Sequence, residues 1–253
     1  LDFEPDTFGH SINVPEVLAQ GGVKYYYHCR GDEGYYLQRW IAPSGRSIIV
    51  YREPFWYLGY VNPDMAMHVP GFCHKHGIDC ALKVYGVGDH GGGPTRRDLE
   101  RLIDMDTWPV FPRIEFGTFQ EFFEAVEKVQ DKLPEVHGER NFVFTGCYTS
   151  QTRIKEANRI GEETLNEAET FGTLAAINTD WQYCHEQFFE GWRHVLFNQF
   201  HDIIPGSGVV DTREYARGLF QETMAIAGAN KKLALQKLAA EINTASLISS
   251  EEI

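Results

Sequence analysis

Three stretches of the sequence gather residue types that can do chemistry. The first is Asp6-Thr7-Phe8-Gly9-His10-Ser11, which follows a short apolar stretch. A carboxylate at the end of a strand, followed by a glycine turn, sits where α/β folds place catalytic groups. The same Asp would equally serve to cap a helix beginning near Val14. The second is Tyr85-Gly86-Val87-Gly88-Asp89-His90-Gly91-Gly92-Gly93-Pro94-Thr95. Its glycines let the backbone approach a ligand and leave the Asp89 carboxylate uncovered, and no Gly-Lys-Ser/Thr follows to make it a phosphate loop. The third is Asn198-Gln199-Phe200-His201-Asp202-Ile203-Ile204-Pro205-Gly206, where an adjacent His and Asp close a helix just ahead of Pro and Gly. Such a pair supplies a metal nitrogen ligand beside a hydroxyl acceptor. As a structural feature alone, His201 would cap the helix C-terminus.

Weaker signals surround these. Cys73-His74-Lys75-His76 with Cys80 has metal-ligand residue types without metal-ligand spacing, and reads as helix and loop. Phe55-Trp56-Tyr57 with Tyr60 would stack on sugar rings or form part of a core strand.

The elements that position these residues change character along the chain. Residues 1–142 read as mixed α/β, with candidate strands at Tyr25–His28, Ser47–Tyr51, Ala81–Val87 and Val110–Phe116. Thr95 and Thr118 precede helical runs, the second carrying Phe119, Phe122, Phe123, Val126 and Val129 up to a stop at Pro134. Strand–helix alternation predicts a parallel sheet or barrel, and Arg39–Pro54, with Pro-Ser-Gly in its middle, predicts an inserted hairpin. Residues 143–253 are helical. A first helix capped by Thr149-Ser150 presents Ile154, Ala157, Ile160, Leu165, Ala168, Phe171, Leu174 and Ala175. A second spans Tyr183 to Phe200, and a third follows Asp211-Thr212, which predicts a three-helix bundle.

Composition limits the partners. The 253 residues are 43% hydrophobic and 23% charged, an ordinary globular balance. With 23 basic and 36 acidic side chains, the net charge is −13, and no basic stripe invites nucleic acid or an anionic membrane surface. No apolar run approaches the ~20 residues of a membrane span. Five scattered cysteines suit reduced thiols and a cytoplasmic location. The opening residues are neither a basic nor an apolar leader, and the chain reads as an internal piece of a longer polypeptide.

Together the three motifs resemble the α-mannosidases of glycoside hydrolase family 38, in its bacterial and cytosolic branch. The resemblance implies that Asp6 is the catalytic nucleophile and also a zinc ligand, and that Asp89 is the general acid/base. It implies His201 as a second Zn2+ ligand, and Asp202 and Arg30, with the aromatic side chains of Phe8 and Tyr57, as substrate-binding groups. Thr145–Gln151 resembles the junction into the family's helical middle domain. The implied fold is the C-terminal part of a (β/α)7 barrel followed by a helical bundle, with Asp6 and Asp89 at C-terminal ends of strands. The implied partners are a mannose-containing oligosaccharide and the remainder of the same enzyme, an N-terminal barrel half and C-terminal β domains, with homo-oligomers open. The family's His-x-Asp motif, source of two further zinc ligands, has no counterpart before Asp6. Competing readings are an inert or sugar-binding fragment and a zinc-dependent carbohydrate deacetylase.

Overall fold

Strands β1 (Asp2–Glu4), β2 (Tyr25–His28), β3 (Leu37–Ile41), β4 (Ser47–Arg52) and β5 (Glu135–His137) form one sheet in the order β1-β2-β4-β3-β5. In this computed structural model, residues 1–31, 34–141 and 143–245 are described. The chain divides into two units, Leu1–Thr145 and Gly146–Ile253. The sheet belongs to the first.

It is mixed, not parallel as the alternation of elements predicts. β1 pairs parallel with β2, and β2 with β4, but β3 returns antiparallel along β4 in the register Leu37↔Tyr51 before pairing parallel with β5. The expected hairpin therefore lies within the sheet. Its turn closes through the Ala42 amide on the Arg46 carbonyl (2.8 Å), with Gly45 at φ +88°.

Both faces of the sheet are covered, which explains why its strands read as apolar runs without strict alternation. On one face Tyr25, Tyr27, Leu37, Ile49 and Tyr51 pack with Phe72, Phe122, Phe123, Val126 and Leu133. These come from helix α2 (Val69–His76), helix α4 (Phe119–Glu127) and the turn after α4. On the other face Tyr26, Trp40, Ile48 and Val50 take Val14, Leu18 and Ala19 from helix α1 (Val14–Gln20). Helices α3 (Arg96–Met105) and α4 both start on capping boxes, Thr95 with Asp98 and Thr118 with Glu121.

Two expected strands are not strands. Ala81–Val87 is irregular, because its backbone groups take other partners: the Tyr51 hydroxyl donates to the Leu82 carbonyl (2.8 Å), and the Val87 amide donates to Gly93 (3.1 Å). Val110–Phe116 is irregular too, since Pro109 precedes it, Pro112 interrupts it and Val110 sits exposed at φ +61°. α4 also ends at Glu127, short of Pro134, and a 3-10 turn at Gln130–Lys132 leads into β5.

The second unit is built on helices α5 (Thr152–Asn178), α6 (His185–Asn198) and α7 (Val210–Ala240), each packed against the other two. The expected Thr149-Ser150 cap is corrected: Gln151, at φ +52°, precedes the first helical residue, and no side chain caps α5. The buried face of α5 is Ile154, Gly161, Leu165, Ala168, Gly172 and Ala175, whereas Ile160 and Leu174 are exposed. Glycines replace bulk where helices approach: a Cβ at Gly161 would lie 3.1 Å from Val195, and one at Gly191 2.8 Å from Leu165. Among the described residues no helix is long and apolar enough to cross a membrane.

Candidate active site

Asp6 lies two residues beyond the end of β1, and Arg30 two beyond β2. Because β1 and β2 run parallel and adjacent, their C-terminal ends deliver these residues side by side. Arg30 Nε donates to Asp6 Oδ1 in an ion pair. The Tyr57 hydroxyl lies beside Asp6; burial first, and then the Asp6 charge, push that hydroxyl up to about 12, so it stays protonated. Asp6 therefore does not cap α1, whose N-cap is Asn13. Its carboxylate is held by a cation, with a phenol beside it.

Aromatic rings hold the cation in turn. The Arg30 guanidinium lies 4.5 Å from the ring centre of Trp56, 5.1 Å from Phe8 and 5.8 Å from Phe144. Trp56 sits at φ +74°, a conformation that costs a bulky residue energy and recurs at ligand sites. Sequence reasoning finds Phe8 and Tyr57 but gives Trp56 only as part of an aromatic run, because left-handed backbone at a Trp leaves no local signature.

Beneath this lies a buried polar layer that no motif announces. The Tyr26 hydroxyl meets His10 Nδ1 at 2.6 Å, and His28 Nδ1 bonds to the Arg30 carbonyl at 2.7 Å. Since a carbonyl accepts, His28 carries its proton on Nδ1, which leaves Nε2 to accept from Arg140 Nη1 at 3.4 Å. Arg140 also lies over the Trp40 ring at 4.7 Å. Gly31, at φ +87°, lets the chain pass: a Cβ there would sit 2.9 Å from the Arg140 carbonyl. This layer fixes the backbone that presents Arg30 to Asp6.

His10 supplies a test of that layer. Burial chiefly, with the Arg140 charge, lowers its pKa from 6.5 to about 4, while the Arg30 backbone opposes the shift. The unfolded chain then binds a proton that the folded one refuses, so the stability from neutral His10 is complete above pH 6.5 and is lost as pH falls toward 4. Between pH 7 and pH 4.5 the expected loss is roughly 2–3 kcal/mol, read as a falling urea midpoint and flattened in His10→Gln.

Asp89 does not end a strand, contrary to expectation. It lies in a tight glycine loop closed by a bridge between Gly88 and Gly92. Gly88, at φ +66°, allows the close approach of Leu58, whose Cδ2 would lie 1.6 Å from an added Cβ. The Asp89 side chain is 63% exposed, 4.0 Å from His90 Nε2. Its charge reaches Tyr57, as does that of Asp6. The first unit thus brings Asp6, Arg30, Phe8 and Tyr57 together and sets Asp89 within electrostatic range of that group.

His201 and Asp202 belong to the second unit. α6 ends at Asn198 with Gln199 as its cap, so His201 is not the helix cap. Both residues are exposed on a turn pinned by buried Ile203, which packs with Ile154 and Ala216. Gly206, at φ +81°, brings this turn against Ser150, whose carbonyl oxygen would lie 2.5 Å from a Cβ. Among the described residues, no group of three or more His, Cys, Asp or Glu gathers to hold a metal. Zinc takes four donors in tetrahedral array, so these residues alone do not complete such a site.

Sequence comparison places both units. The family described as "Glycosyl hydrolases family 38 N-terminal domain" matches residues 2–146, and "Alpha mannosidase middle domain" matches residues 143–238. Alpha-mannosidase G of Dictyostelium discoideum is 31% identical over 226 residues, covering 82% of this chain and 20% of its own length. Alpha-mannosidase 2C1 of Mus musculus is 27% identical over 229 residues, covering 86% and 22%. The chain therefore spans about a fifth of the curated relatives it matches. A crystal structure of an alpha-mannosidase from Enterococcus faecalis V583 shares the fold with a TM-score of 0.74 at 21% identity, covering 98% of this chain and 30% of that one.

Proposed function

From a chain that belongs to glycosyl hydrolase family 38, we propose part of a retaining α-mannosidase in which Asp6 is the nucleophile and Asp89 the general acid/base. The observation that carries this reading is the Asp6 carboxylate, held at the end of a strand by Arg30 with Tyr57 beside it. The ion pair with Arg30 holds that carboxylate at the strand end, where attack requires it. Asp6 attacks the anomeric carbon of a terminal α-mannoside as Asp89 protonates the departing oxygen; Asp89, now ionised, takes a proton from the water that releases the sugar. Retention requires the two carboxyl groups to stand about 5–5.5 Å apart across the sugar. Tyr57, which feels both charges, and Asp202 bind substrate hydroxyls, and Phe8 supplies an aromatic wall.

The first unit belongs, on this reading, to the C-terminal part of a (β/α)7 barrel. β1 stands at the sheet's end with Phe3 half exposed, where further strands of the same enzyme would pair. The second unit is the helical middle domain, and the five free thiols suit a cytoplasmic enzyme. The deciding experiment follows an aryl α-mannoside by NMR with the full-length enzyme. The α anomer of mannose as first product supports the reading, and the β anomer overturns the retaining assignment.

Asp6 and His201 each have a donor atom suited to zinc, the remaining donors coming from elsewhere in the enzyme, and when bound the ion would polarise sugar hydroxyls. The 253-residue chain alone is then expected to retain substoichiometric zinc after gel filtration and to leave aryl α-mannosides uncleaved. Stoichiometric zinc by elemental analysis would show that the chain completes the site itself.

A further inference from the structure

Glu53 is a buried acid that the proposed reaction does not use. It follows β4 directly, and its amide donates to the His28 carbonyl (2.8 Å), prolonging the β2–β4 ladder. Its side chain is fully buried, yet it points at two segments of the site. Oε1 accepts from the Phe55 amide (3.2 Å), at the start of the run that carries Trp56 and Tyr57. The Lys83 ammonium lies 3.9 Å away, on the irregular segment that leads to Gly88 and Asp89.

Other contacts converge on the same junction. The Tyr51 hydroxyl holds the Leu82 carbonyl, the Gly59 carbonyl meets the Gly86 amide (3.5 Å), and a Cβ at Gly59 would lie 2.5 Å from the Val84 carbonyl. Residues 82–88 have no sheet ladder, so their position depends on such side-chain and loop contacts. Tyr27, Tyr51, Cys29, Arg52 and Lys83 are the titratable and charged groups around Glu53. Burial raises its carboxyl to about 7, against the Lys83 charge and the Phe55 and Val84 amides. A buried carboxyl away from the reacting atoms, facing partners on both flanking segments, is a tie.

We propose that Glu53 is a positioning residue: it clamps the Phe55–Tyr57 and Lys83–Asp89 segments to the end of β4, and so sets the acid/base Asp89 relative to Asp6. This rests on the reading of Asp89 given above. A misplacement of about 1 Å in a catalytic group costs on the order of 100-fold in rate. The loss should be confined to steps in which Asp89 moves a proton.

The test compares Glu53→Ala, Glu53→Gln and Asp89→Ala in the full-length enzyme by two readouts. Hydrogen exchange is expected to quicken over residues 83–92 in Glu53→Ala, with β2–β4 unchanged. Turnover is expected to fall about 10–100-fold for alkyl α-mannosides, which need protonation of the leaving group, and less than about 3-fold for a dinitrophenyl α-mannoside. Glu53→Gln preserves size and the Phe55 contact, so it should show the same pattern more weakly, and it carries the test if the Ala variant does not fold. Unchanged exchange at 83–92 overturns the clamp, whatever happens to activity. Quickened exchange with equal losses on both substrates overturns the positioning of the acid. If Asp89→Ala itself shows no leaving-group dependence, it is the acid assignment that fails, and the exchange result still decides the clamp.

Discussion

Asp6→Ala in the full-length enzyme is expected to lower turnover by about 10⁴–10⁶-fold, the scale seen when a covalent nucleophile is removed. The enzyme should remain folded, because Asp6 is part-exposed and paired with Arg30, not packed in the core. Chemistry can separate loss of the nucleophile from general damage. With the carboxylate gone, azide can enter the space and attack the anomeric carbon directly. A nucleophile-deficient enzyme then yields the inverted β-mannosyl azide from an activated α-mannoside. Recovery of retained product from Asp6→Ala would show that another group attacks, and would remove Asp6 from the mechanism. Asp6→Ala should also weaken zinc binding, if one side chain serves both tasks.

Asp89→Ala is expected to show the complementary pattern. General acid catalysis contributes about 10²–10⁴-fold, and that loss should appear with alkyl leaving groups but largely vanish with dinitrophenolate. Azide now acts in the second step, on the glycosyl-enzyme that Asp6 has already formed, so the product is the retained α-mannosyl azide. Zinc content should be unchanged. Losses equal across leaving groups would take Asp89 out of the acid role. The opposite anomers from the two variants form a single internal control, since neither outcome follows from misfolding.

The candidate stretches stand out in the sequence because their signals are local. A carboxylate ahead of a glycine turn, an Asp among closely spaced glycines and a His-Asp pair where a helix stops are all features of neighbouring residues. Helix starts at Thr95 and Thr118 were legible for the same reason: each Thr meets an acid three residues later, and both capping boxes are present. The Pro-Ser-Gly turn likewise announced the β3–β4 hairpin.

What the residues do to one another was decided by tertiary structure. Ala81–Val87 has the composition of a strand, but the Tyr51 hydroxyl and the segment's own glycine loop take up backbone groups that a ladder would use. Ile160 and Leu174 fit the helical period of α5 yet face solvent, because its packed seam runs through Gly161 and Gly172, and at Gly161 the Val195 side chain leaves little room for a Cβ. The left-handed backbone of Trp56, the burial of Glu53 and the His10–Tyr26–His28–Arg140 layer depend on partners as many as 130 residues apart. Periodicity reports which face of an element is apolar. The identity of the atom across the gap, which sets a carboxylate's charge or a loop's position, exists only once the chain has closed on itself.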